Sequence, residues 1–452
     1  MPLDELITAL PQGAVLTDRD LVEGYRRDWA RDRNPGQPLA VVRAGSTEEV
    51  QTVLRWATAH QVPVVPRGAG SGLSGGATAV DGGLVLSLER MRDIHVDPVS
   101  RVAVVQPGLL NAEVKRAVAE HGLWYPPDPS SFEICSIGGN AATNAGGLCC
   151  VKYGVTTDYV LGMQVVLADG TALRLGGPRL KDVAGLSLTK LFVGSEGLLG
   201  VITELTLRLI PAQAPASTLV AVFPSIEAAA DAVLAISREL RPSMLELMDR
   251  TSINAVEDMV TMGLDRNAEA LLIARSDAPG AAAAHEIAVM ARACEAHGAS
   301  EVFSTDDQDE GEAFTAARRA AFPALERLGS LLLEDVGVPL PALPALVRGI
   351  EEIAAAQRVT IGVVAHAGDG NTHPIVVYNP ADADQTARAY RAFGAVMDLA
   401  IELGGTITGE HGVGRLKKEW LPTYLGADVM ALTRRIKDAL DPLGILNPGA
   451  VL

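Results

Sequence analysis

Four side chains able to do metal or proton chemistry fall in two short, glycine-framed segments of this 452-residue chain. His366 ends the apolar run IGVVA (361–365), His373 opens the strand PIVVY (374–378), and AGDGNT (367–372) lies between them. Two apolar runs joined by such a turn predict a hairpin with both imidazoles at its mouth. The second segment, TGEHGVG (408–414), offers Glu410 and His411 on a glycine-flanked, exposed loop. Two neutral imidazoles and a carboxylate suit a borderline divalent ion and leave one coordination position open. In extended chain, neighbouring side chains point to opposite sides. Of Glu410 and His411, one is therefore expected to ligate and the other to face the molecule that the ion activates. A lone histidine is more often a hydrogen-bonded structural residue. Three of the chain's eight histidines in two such loops reverse those odds.

The elements that must position these groups start with a βαβ-like pattern. LAVVR (39–43) predicts a strand, Ser46 and Glu49 form a capping box for a helix running to about His60, and PVVPR (63–67) predicts the next strand. Short apolar runs at 83–88, 101–108, 160–170 and 200–210 continue a sheet-rich half with few helices. Within it, GAGSGLSGG (68–76) has the missing side chains that let backbone N–H groups turn toward a phosphate, pyrophosphate being the natural ligand. Gly70-x-Gly72-x-x-Gly75 matches the dinucleotide fingerprint in letters, but a strand follows it instead of a helix, so the Rossmann reading fails on context. A second loop, YPPDPSSFEICSIGGNAATNAGG (125–147), adds stiffening prolines, hydrogen-bonding amides and further glycines for close approach to a flat ligand.

Proline and alanine replace the β-branched pattern at PAQAPAS (211–217), which marks a domain boundary. The expected division is residues 1–211, then 212–420, then a C-terminal segment 421–452 that reads as a helix and packs back on the first domain. The middle part alternates alanine- and leucine-rich helices with short strands such as ALLIAR (270–275), an α+β pattern.

Composition narrows the class. A chain 48% apolar with 45 glycines is well packed and rich in turns, and a formal charge of −17 repels nucleic acid and anionic lipid. Four cysteines are too few for a disulfide framework, and Cys149 beside Cys150 reads as packing before redox chemistry. With no basic leader and no eighteen-residue apolar run, the expectation is a cytoplasmic protein with no transmembrane segment.

PRGAGSGLSGG, PPDPSS, GGNAATNAGG, CCVKYG and KLFVGSEGLLGVIT together resemble the vanillyl-alcohol oxidase and p-cresol methylhydroxylase (PCMH) flavoproteins, while HAGDGNTH and TGEHGVG resemble the FAD-dependent D-2-hydroxyacid dehydrogenases. The similarity covers nearly the whole chain. It implies an α+β molecule: a PCMH-type FAD-binding domain of two α/β subdomains, plus a substrate (cap) domain with an antiparallel sheet and flanking helices. The implied FAD contacts are Arg67, Gly68, Ala69, Gly70, Ser71, Gly72, Pro127, Asp128, Ser131, Gly138, Gly139, Asn144, Gly147, Tyr153 and Ile202. Ser71 stands where some relatives carry a histidine that links FAD covalently, so noncovalent FAD is expected.

The resemblance further implies that His366, His373 and Glu410 bind zinc or manganese, that His411 removes the substrate hydroxyl proton, and that Arg318, with Arg319 as its rival, holds the substrate carboxylate. Relatives acting on D-2-hydroxyglutarate carry a lysine six residues before the proline of EDVGVP, and this chain has Leu333 there. The expected substrate is therefore D-lactate or glycolate, with D-2-hydroxyglutarate or a noncatalytic FAD-binding subunit of a glycolate-oxidising complex as alternatives. Electrons would pass to a quinone, a cytochrome or an electron-transfer flavoprotein. A homodimer or a complex with an iron-sulfur subunit would fit such a role.

Overall fold

The fold was obtained as a computed structural model, which describes residues 2–30, 32 and 34–452. They form two compact units: residues 1–146, 155–212 and 410–452 make the first, and residues 147–154 and 213–409 the second.

The first unit holds two main sheets. One runs in the order Val15–Leu16, Ala40–Arg43, Leu84–Ser87, Val64–Arg67, with the last three strands parallel. The helix Thr47–His60 begins where expected, since Ser46 Oγ accepts from the Glu49 N–H. It buries Val50, Val53, Leu54 and Ala57 against Val42, Leu84 and Leu86. The βαβ pattern is real, but its two strands are not neighbours: Leu84–Ser87 lies between them. The second sheet, Ile94–Asp97, Val102–Val105, Val201–Arg208, Val160–Val166, Ala172–Gly176, is antiparallel throughout. The C-terminal segment packs on this unit: the Val64 N–H donates to Ile445 O, and the Asn447 N–H to Val64 O, each at 2.8 Å. The single helix expected from residue 421 is two, Leu421–Leu425 and Ala427–Leu440, because Gly426 takes a φ of +79° that ends the first.

The second unit is built on a sheet in the order Glu301–Thr305, Ser217–Phe223, Ala270–Ser276, Met244–Asp249, Thr360–His366, Asn371–Tyr378, Ser330–Leu333, with Val336–Gly337 also paired to Asn371–Tyr378. Every pairing is antiparallel. Alternation along each strand sends Met244, Met248, Val364 and Ile375 into one apolar cluster, closed by Ile253, Val256, Ala317, Ala321 and Leu325 of the covering helices. No helix among the described residues is long and apolar enough to cross a membrane.

Candidate active site

In the first unit, the strand Val64–Arg67 feeds the glycine loop. Gly70 has a φ of +74°, a conformation that favours glycine, and the Arg67 guanidinium occupies the space where a Cβ would stand. The stretch expected as a second loop contains a short helix, Ile137–Thr143, capped by Ser136. Ser136 Oγ accepts from the Gly139 N–H at 3.3 Å and from the Ala69 N–H at 3.2 Å, so one hydroxyl ties both segments together. A Cβ on Gly138 would stand 2.4 Å from Pro107 Cβ. Asn111 Nδ2 reaches Pro127 O at 3.2 Å and Asn140 Oδ1 at 3.0 Å. Asn144 ends the helix at a φ of +55°. Ser131 O accepts from the Ile134 and Cys135 N–H groups in the turn after Asp128, and Ile202 is buried on Val201–Arg208. Arg67 to Gly72, Pro127, Asp128, Ser131, Gly138, Gly139, Asn144 and Ile202 thus all belong to this unit, whereas Gly147 and Tyr153 belong to the second, where Tyr153 Oη bonds Asp277.

Two buried carboxylates hold these loops. Asp28 accepts from the Ala30 N–H at 3.1 Å and the Ala77 N–H at 3.2 Å, and burial pushes its pKa up to about 6. Glu196 accepts from the Val413 and Gly414 N–H groups, both at 2.8 Å, and burial pushes it up to about 7. The segment carrying Glu410 and His411 is consequently not the exposed loop expected from its glycines. Both side chains are largely buried, at 10% and 13% exposure, and Ser74 Oγ donates to His411 O at 3.1 Å.

In the second unit the histidine hairpin forms, with one register change. The strand begins at Asn371, not after His373, so His366 pairs with Asn371 and His373 with Val364. That places the two imidazoles diagonally on one face, edge to face, with ring centroids 5.0 Å apart. His366 Nδ1 lies 2.8 Å from Glu246 Oε1, a contact in which the ring donates to the carboxylate. Glu246 Oε2 lies 2.9 Å from Arg318 Nε. His373 Nδ1 is 3.7 Å from Asp335 Oδ1, too long for a hydrogen bond, and Thr408 Oγ1 donates to Asp335 Oδ2 at 2.6 Å. Arg318 is 3% exposed; its Nε meets Glu246 Oε2 as an ion pair without hydrogen-bond geometry, and its Nη2 has no hydrogen-bond partner among the described residues. Arg319 is less buried than Arg318.

Residues 38–176 match the family described as FAD binding domain, and residues 212–451 match FAD linked oxidases, C-terminal domain. The chain belongs to the FAD-linked oxidases. It is 42% identical to the glycolate oxidase subunit GlcD of Bacillus subtilis over 91% of this chain and 88% of that one. It is 34% identical to the D-lactate dehydrogenase of Archaeoglobus fulgidus over 92% and 91%. Among solved structures, p-cresol methylhydroxylase superposes with a TM-score of 0.83 at 17% identity, covering 100% of this chain and 96% of that one, which establishes the shared fold. This FAD-linked oxidase is therefore an oxidoreductase with the p-cresol methylhydroxylase fold, and its four cysteines form no disulfide.

Three acidic residues were passed over in the sequence. Asp28 sits among the charges of RRDWARDRN, where nothing singles it out. Glu196 is visible in hindsight as the charged member of GSEG, and Glu246 as a charge at an inward strand position between Met244 and Met248.

Proposed function

We propose that this FAD-linked oxidase oxidises a small D-2-hydroxy acid, D-lactate or glycolate in preference, to the 2-oxo acid. Its FAD is noncovalent, Ser71 standing in place of a linking histidine. His366, His373 and Glu410 would hold a zinc or manganese ion. The observation that carries the reading is the buried pair of imidazoles on one face of the second unit's sheet, His366 being linked through the buried Glu246 carboxylate to the buried Arg318.

The donor set suits a borderline divalent ion, because a ring whose Nδ1 is engaged by a carboxylate presents Nε2 for ligation. When bound, FAD supplies the two-electron acceptor and the ion supplies Lewis acidity. Arg318 pairs its guanidinium with the substrate carboxylate, a charge-assisted contact that orients the hydroxyl-bearing carbon. His411 removes the hydroxyl proton; an imidazole has the basicity for this near neutral pH. Glu196 keeps the segment bearing His411 in place through the Val413 and Gly414 N–H groups.

Leu333 favours a monocarboxylate. It pairs with Ile375, so its side chain projects from the same face as Ile375 and His373, offering no cation to a second carboxylate. The acceptor beyond FAD is a quinone, cytochrome or electron-transfer flavoprotein, reached alone or in a complex with an iron-sulfur subunit.

Anaerobic addition of D- and L-2-hydroxy acids to the purified yellow protein tests the reading. Bleaching by D-lactate or glycolate, and weaker or no bleaching by L-lactate and D-2-hydroxyglutarate, is expected. Bleaching by none of them, with the ion supplied, refutes it.

A further inference from the structure

Glu246 is fully buried on the strand Met244–Asp249, between Met244 and Met248, which point into the apolar cluster on its own face. The register that pairs Leu247 with Ala365 and Met248 with Val364 continues to place Glu246 across from His366. Its two oxygens are divided: Oε1 takes the His366 ring nitrogen at 2.8 Å, and Oε2 lies 2.9 Å from Arg318 Nε. Arg318 reaches this point from the last turn of the helix Gln308–Arg319. A carboxylate and a guanidinium in an apolar cluster cost desolvation, and replacing such a pair by well-packed apolar residues is often neutral or stabilising. Stability alone therefore gives no reason for Glu246 to stand there. Orientation does: a carboxylate on one nitrogen of a histidine fixes its tautomer and ring plane, and the same carboxylate on Nε of an arginine leaves the terminal nitrogens to meet another anion.

We propose that Glu246 is a positioning residue that couples the two halves of the substrate site, one oxygen orienting His366 toward the metal ion and the other orienting Arg318 toward the substrate carboxylate. This rests on the functional reading given above. Glu246 touches neither ion nor substrate. Losing it loosens both at once, and a given loss at one partner is accompanied by loss at the other.

The test uses the full-length flavoprotein and its Glu246→Gln variant, which keeps size but removes the charge. FAD content and Tm report folding; metal affinity is read by titrating the metal-stripped holoprotein with Mn²⁺ or Zn²⁺; KM and kcat are read with D-lactate and its methyl ester. Glu246→Gln is expected to retain FAD, to bind the ion on the order of 10- to 100-fold more weakly, and to show a raised KM for D-lactate. At saturating metal, kcat should largely recover while KM stays high, and the ester should be affected little. If Glu246→Gln does not fold, Glu246→Asp keeps the charge but is one methylene too short to span both partners, and it should weaken ion and substrate together; weakening of one alone overturns the coupling. A lowered Tm with wild-type metal affinity and KM makes Glu246 purely structural and overturns the proposal alone. A wild-type protein that binds neither ion nor 2-hydroxy acid overturns the functional reading, and the proposal with it.

Discussion

In the proposed function Arg318 carries two duties, which binding and stability measurements separate. It neutralises a fully buried Glu246, and its Nη2 is left without a partner among the described residues. Arg318→Ala should raise KM for a 2-hydroxy acid by about 2–5 kcal/mol of lost binding, the range for breaking a buried charged contact. The variant should also melt earlier, because Glu246 keeps only its His366 contact. Steady-state kinetics with acid and methyl ester check this: the ester should lose its disadvantage, and an unchanged KM would hand the role to Arg319 or another base. His411 is a sharper case, since its neighbour Glu410 is assigned to the ion. His411→Asn should keep FAD and metal yet slow anaerobic flavin reduction on the order of 100-fold or more, the range for losing a positioned base. Stopped-flow traces and metal content from one sample decide it. Loss of metal, or reduction at the wild-type rate, would reverse the division between Glu410 and His411.

At the scale of elements, the glycine segments are held by close backbone approach, which local composition announces but cannot place. Gly138 is an ordinary helical residue whose missing Cβ makes room for Pro107, with the Pro107 Cα and O both 3.0 Å from where that Cβ would be. Gly138→Ala should cost about 1–3 kcal/mol through overpacking and release FAD on gel filtration. Wild-type flavin content and Tm would show that the two segments can move apart. Strands and caps were legible because their signals are local: Ser46 caps its helix, and the apolar runs at 63–67, 270–275 and 361–365 are strands. What stayed hidden depends on chain far away in sequence. Leu84–Ser87 enters between the strands of the βαβ pattern, and Glu246 meets His366 across 120 residues. The hairpin was foreseen with its strand starting late, since AGDGNT looks like turn throughout while Asn371 and Thr372 already pair across the ladder.

Within the first unit, two buried acids make stability follow pH. Glu196 titrates near 7 instead of 4.5, burial outweighing the Val413 and Gly414 N–H groups, and Asp28 near 6 instead of 3.8. A carboxyl whose folded pKa lies above its unfolded one binds its proton more tightly when folded. Its contribution is therefore fully present below the unfolded value and is lost as pH rises through the folded one. For Glu196 the window runs from about 4.5 to about 7, and at roughly 1.4 kcal/mol per pKa unit the loss is on the order of 3 kcal/mol. Asp28 adds a loss of the same sign, and its charge is one of the causes that raise Glu196. Glu196→Gln imitates the neutral acid, giving up one backbone contact but carrying no charge at any pH. With FAD in excess, its Tm should sit at or below the wild-type value near pH 5, where both side chains are neutral, and should gain on the wild type near pH 8, where only the wild type buries an anion. The Tm difference between the two proteins, followed across that range, reads Glu196 together with its coupling to Asp28, which is present in both. A difference that stays constant from about pH 5 to pH 8 would mean that Glu196 is ionised throughout, its two backbone N–H groups outweighing burial.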